Sequence, residues 1–143
     1  MNSKVIIAAL VGAVFYFLLG WLIFGILLSG SMEDGMSDAM RGVYRGMDEF
    51  IYWAIAISNL CMALLLALIY NRFGLSTFMK GAVNGLWIGA LMTLMYDFGM
   101  YAQFTMFELD MVFMDAVMSA IMTALVGGVV AFMLGRGKKS AVA

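Results

Sequence analysis

Four apolar runs, each about as long as a lipid bilayer is thick, constrain this chain more than anything else in its sequence. A helix needs roughly 20 residues to cross the hydrocarbon core. The first run, 5–28, has no charge in 24 residues. The second is 50–70. The third, 81–104, is interrupted only by Asp97, and the fourth, 111–134, carries Asp115 near its start. Lipid cannot satisfy open backbone groups, so a spanning segment is either a helix or a strand of a closed barrel. Four spans are too few strands to close one. The sequence therefore predicts an all-α fold: a polytopic membrane protein with four transmembrane helices in an antiparallel bundle, a single domain over 1–143.

Composition agrees. The chain is 65% hydrophobic and 12% charged, with a mean hydropathy of +1.02. An ordinary soluble domain is about 45–50% apolar and about 25% charged. A net charge of −1 gives no polybasic signal for nucleic acid. With no histidine, the commonest general base and metal ligand is missing. A single cysteine, Cys61, excludes an internal disulfide. No proline demands a kink at a fixed place. Lys4 before the first run suggests a signal peptide, but 24 residues exceed a signal's apolar core of about 7–15.

Basic residues set the expected orientation. If the helices alternate, Lys4, Arg72, Lys80, Arg136, Lys138 and Lys139 share one side, and Arg41 and Arg45 the other. The positive-inside rule then places both termini in the cytoplasm, of a bacterial cytoplasmic membrane on this reading. The loop 29–49 lies outside, where a short interfacial helix is expected over about 36–45. The remaining loops are short, so neighbouring helices are expected to pack antiparallel.

Gly81, Gly85 and Gly89 recur every fourth residue, which lets two helix backbones approach closely. They fit packing within the chain or, alternatively, a homo-oligomer or larger membrane complex. Gly12, Gly20, Gly25 and Gly127–Gly128 mark further close approaches.

An aspartate inside a membrane span is a functional hypothesis by default. Asp97 and Asp115 lie about nine residues either side of the middle of the third hairpin, so at about 1.5 Å per residue they reach the same depth. Two carboxylates at one depth keep a proton between them, hold a cation, or find separate donors. Candidate donors are Tyr101 and Thr93 one turn from Asp97, Ser119 one turn from Asp115, Arg41 and Arg45 from the outer loop, and Tyr52 and Trp53 on helix two. The bland reading is a polar cluster that locks the bundle. The functional one is an outward-facing site for protons or a small solute. Asn59, Ser58 and Asn84 read as interhelical hydrogen-bonding residues.

Sixteen methionines are an excess. Met32, Met36 and Met40 in the outer loop, and Met111, Met114, Met118 and Met122 on helix four, fall at one-turn spacings. Thioethers suit Cu(I), but methionine is also a flexible apolar filler, and no histidine or second cysteine supports a metal route. Glu33, Asp34 and Asp38 lack the spacing of a calcium loop. No nucleophile–base pair, phosphate loop or zinc signature is visible, so neither an enzyme nor a bound cofactor is expected.

FYFLLGWLIFGILL at 15–28, Asn59, GLWIGALMTLMYDFGMY, and a fourth helix that opens with Asp115 and closes in VGGVVAFMLG together resemble small bacterial four-helix membrane proteins of domain-of-unknown-function families. The resemblance covers most of the chain outside the Met-rich loop. It implies the four-helix fold and no activity. Related families carry Tyr-Asp-Leu-Thr-Asn at the end of helix three. Here Phe98, Gly99 and Met100 follow Asp97, so nothing tied to that Thr-Asn pair carries over. The alternative to a polar site is an accessory or scaffolding subunit packed through its glycines.

Overall fold

The computed structural model describes residues 2–27, 30 and 38–136. Four helices are long and apolar enough to cross a membrane. Helix α1 runs Ser3–Leu22 and continues as a π-helical turn, Ile23–Leu27. Helix α2 is Tyr52–Phe73, α3 is Phe78–Gln103 and α4 is Leu109–Gly135. No strand occurs among the described residues. The expected all-α fold of four packed spans is the observed one.

Local chemistry sets the ends. The Asn2 side chain accepts from the Lys4 backbone N–H at 3.3 Å and caps α1. Gly74 ends α2 at φ 70°, a left-handed conformation that a side chain would strain. The Gly74 and Leu75 N–H groups both return to the Tyr70 carbonyl. α3 starts before the predicted position 81, because Lys80 lies exposed in its first turn and does not stop it.

The packing is less even than a symmetric bundle. α4 touches all three other helices, α1 and α2 also pack together, and α3 leans almost wholly on α4. α2 and α3, although joined by a short loop, make little contact, so the expected neighbour packing fails at that pair. The reason lies in where small residues fall. Gly12 on α1 meets Ala63 on α2 and Val130 on α4, and a Cβ at Gly12 would come within 2.6 Å of the Val130 side chain. Without a strong hydrophobic drive in lipid, such close packing is what holds helices together.

The core of Val5, Ala9, Leu66, Tyr70, Val126 and Val130 sits at the end of the bundle where α1 begins and α4 ends. The Lys4 ammonium reaches the Arg136 carbonyl there at 3.4 Å. Large apolar side chains such as Leu18, Trp21, Leu91 and Phe132 point outward, as a surface matched to lipid requires. At the opposite, hairpin end, Tyr52, Trp53 and Tyr101 are exposed, the aromatic pattern of a membrane interface.

Two expectations change. Of the interfacial helix expected over 36–45, the described residues form only one helical turn, Asp38–Arg41. The π-helical turn in α1 occurs with no proline to cause it. The Trp21 ring packs over Gly25, with a Cβ there only 3.3 Å from it.

Candidate functional site

Every fourth residue of α3 from 81 gives Gly81, Gly85, Gly89, Thr93 and Asp97. Every fourth residue of α4 from 115 gives Asp115, Ser119, Thr123, Gly127 and Ala131. These antiparallel stripes face each other. A Cβ on Gly81 would fall on the Gly127 carbonyl and Ala131, one on Gly85 on the Thr123 carbonyl, and one on Gly89 within 2.7 Å of the Ser119 carbonyl and the Thr123 hydroxyl. The glycine seam is therefore internal, filled by α4 of the same chain. Followed to the hairpin, the register brings Asp97 to Asp115.

Asp97 is only 4% exposed. Asp115 is half-buried. Their carboxyl groups lie within hydrogen-bonding reach of each other, and the Ser119 hydroxyl donates to Asp115. Two ionised carboxylates have no hydrogen to give one another. Their contact therefore requires a shared proton or a cation between them. Phe98 and Phe113, close in sequence to the two acids, meet edge to face at 6.0 Å across the same two helices.

Beside the pair lies a cavity of about 140 Å³. Among the described residues, Asp97 and Asp115 supply its only acidic lining, and no lysine or arginine lines it. The rest of the wall is apolar and comes from separate segments. Phe24 enters from the π-helical turn of α1 and Phe107 from the α3–α4 loop. Met40 enters from the Asp38–Arg41 turn, and Met111, Val112 and Met114 from the first turns of α4. π-helical turns recur at functional sites, and here the turn delivers a ring to the cavity.

Towards the terminal end the polar groups are held by fixed bonds. The Tyr16 and Thr123 hydroxyls bond at 3.1 Å, and the Tyr70 hydroxyl donates to the Gly81 carbonyl at 2.7 Å. One point beside Gly85 lies within contact of both the Thr123 carbonyl and the Tyr70 hydroxyl. Not even one added methyl group has room between the helices at that point.

Not every predicted residue joins the site. Ser119 does, through Asp115. Thr93 shares the stripe and is half-buried. Tyr101, 45% exposed, faces away from the cavity. Asn59 is half-buried on α2, away from the cavity, and Ser58 is exposed. Asn84, expected to bond between helices, is exposed and donates to the Lys80 carbonyl of its own helix at 2.8 Å. Arg41, Arg45, Tyr52 and Trp53 do not line the cavity. Met32, Met36, Glu33, Asp34, Lys138 and Lys139 lie outside the described residues. The methionine stripe of α4 divides: Met111 and Met114 line the cavity, while Met122 is buried near Gly20 of α1. Cys61 is an exposed free thiol.

Sequence reasoning missed Phe24, Phe107, Tyr16 and Tyr70. Tyr16 had a signal, since Tyr16 alone carries a hydroxyl in the run 5–28. The others depend on which helices meet.

Fold and site together define a bundle of four membrane-length helices with an acidic pair, Asp97 buried and Asp115 half-buried, beside a small cavity at its hairpin end. Compared with protein-family models, curated proteins and solved structures, the chain matches none.

Proposed function

We propose that the chain is an integral protein of a bacterial cytoplasmic membrane, with both termini in the cytoplasm. Its Asp97–Asp115 pair is an outward-facing, non-enzymatic site that holds and exchanges a proton or a small solute. The carrying observation is Asp97 itself: an acid 4% exposed, against a second carboxyl, on the wall of a cavity of about 140 Å³. A buried charge persists only when paired or neutralised. A locking role alone would call for no cavity beside the pair. The six-to-two split of basic residues supports the orientation.

The tightly packed seam near Gly85 supports a one-sided site over a path through the bundle. The accessory-subunit alternative drew on the glycine seam, and α4 of the same chain fills it.

Infrared titration of the carboxyl bands, in wild type and in Asp97→Asn and Asp115→Asn, tests the proposal. The two acids are expected to titrate as one coupled system, each substitution moving the titration of the partner. Two independent titrations, unmoved by either change, would remove its basis.

A further inference from the structure

The cavity has a chemistry of its own, and it narrows what the acidic pair binds. We infer that this pocket takes a small primary alkylammonium ion, its nitrogen on Asp97 and Asp115 and its carbon chain along the apolar wall; the inference rests on the reading of the pair as a binding site. Each feature of the lining has a counterpart in such a ligand.

Charge comes first. An acidic pair that shares one proton carries a single negative charge, which one ammonium neutralises. The ammonium has three N–H donors and no acceptor. It can serve both carboxyls at once, which are close enough to hydrogen bond to each other. Among the described residues, no lysine or arginine lines the cavity to supply that positive charge from the protein.

The wall comes second. Phe24 and Phe107 line the cavity, and the face of an aromatic ring attracts a cation, the more so as water is excluded. Met40, Met111 and Met114 are flexible and polarizable, and suit an alkyl chain of no fixed shape. A hydrated inorganic cation would gain nothing from this surface.

Size comes third. An apolar cavity of about 150 Å³ accommodates benzene, a molecule of about six heavy atoms. At about 140 Å³ this one fits an ion of about five. n-Butylammonium has that size, and 1-butanol is its neutral counterpart. The competing chemistry is a soft metal on the three thioethers. It would leave both carboxylates without a role, because hard oxygen ligands contribute little to Cu(I) or Ag(I).

The test uses the full chain in lipid nanodiscs, with empty nanodiscs as the partition control. n-Butylammonium, 1-butanol and Ag⁺ are titrated by calorimetry, with thermal stability read in parallel. The ammonium is expected to bind at least about tenfold more tightly than the alcohol, since only it pairs with the acids. Asp97→Asn and Asp115→Asn are each expected to weaken it at least about tenfold. Met114→Trp fills the cavity from a 42% exposed position and leaves both acids in place. It is expected to abolish binding while the protein stays folded, which covers the case of an aspartate variant that fails to fold. Absence of ammonium binding to folded wild type, equal binding of the alcohol, or retention of binding in Met114→Trp each overturns the inference. So does Ag⁺ binding that the ammonium does not compete. If infrared shows a coupled acidic pair and butylammonium still fails to bind, the ligand assignment falls and the proposed site stands. If the acids titrate independently, both fall.

Discussion

Gly85→Ala adds one methyl group where the α3–α4 seam has no room. The new Cβ would land on the Thr123 carbonyl oxygen, with the carbonyl carbon at 3.0 Å and the Tyr70 hydroxyl at 3.1 Å. Two of those atoms are backbone and cannot rotate away. Restoring ordinary contact distances requires the helices to part by about 1 Å, and a gap of that size forfeits roughly a quarter to a half of the dispersion attraction across it. Overpacking of this kind costs about 1–3 kcal/mol. α3 has almost no partner but α4, so the loss is not made up elsewhere. Replacing glycine inside a helix returns up to about 1 kcal/mol. The net expectation is a loss of about 1–2 kcal/mol. Gly99→Ala is the matched control: same helix, same change, but nothing within 4 Å of the added Cβ. It is expected to be neutral or to stabilise by up to about 1 kcal/mol. Thermal unfolding of both variants in one detergent, followed by tryptophan fluorescence, reads the difference in sign. Equal shifts in the same direction would refute the reasoning, because the packed seam would then not distinguish the two sites.

A reporter fused after Ala143 is expected to read cytoplasmic in a bacterial host; a periplasmic reading would invert the topology and turn the acidic pair inward. Tyr70→Phe removes the hydroxyl that donates to the Gly81 carbonyl at 2.7 Å, with an expected loss of about 1 kcal/mol in thermal unfolding. Tyr16→Phe removes the partner of buried Thr123 and is expected to cost a similar amount, about 1 kcal/mol. Labelling of Cys61 by a lipid-soluble maleimide is expected without denaturant, since the thiol is exposed on α2; protection until unfolding would mean that another surface covers this face.

The spans were legible because lipid leaves no other option for runs of such length, and the expected 111–134 lies inside the observed Leu109–Gly135. The ends moved outward where a charged residue sits in a first turn, as Lys80 and Asp110 do, with a side chain free to reach the interface. Equal depth of Asp97 and Asp115 followed from counting residues across the hairpin. Their contact was not legible from depth alone. It follows from the one-turn stripe Gly81 to Asp97 meeting the stripe Asp115 to Ala131, a single register that glycines and aspartates share. The central place of α4 was hidden because all four runs are comparably apolar, and apolarity in a membrane does not separate inside from outside. The cavity was illegible for another reason: its rings and thioethers come from segments far apart in sequence, and the π-helical turn that aims Phe24 has no sequence marker here.

The same stripe accounts for both halves of the molecule. Glycine at positions 81, 85 and 89 lets α3 settle onto the α4 backbone, so closely that none of the three positions has room for a Cβ. At 97 the stripe changes from the smallest residue to an acid, and on α4 the facing position is Asp115. Side chains must now fit where backbones touched, so the helices require more space, and Phe24, Phe107 and Met40 are drawn in from three other segments to wall it. A polar pair meant only to fasten the hairpin would work best fully packed, with each acid on its own donor. On the function proposed above, an acid pair in contact, walled by rings and thioethers around open volume, gives a charge a place to arrive and depart from one side, with the glycine seam behind it as the barrier to going further.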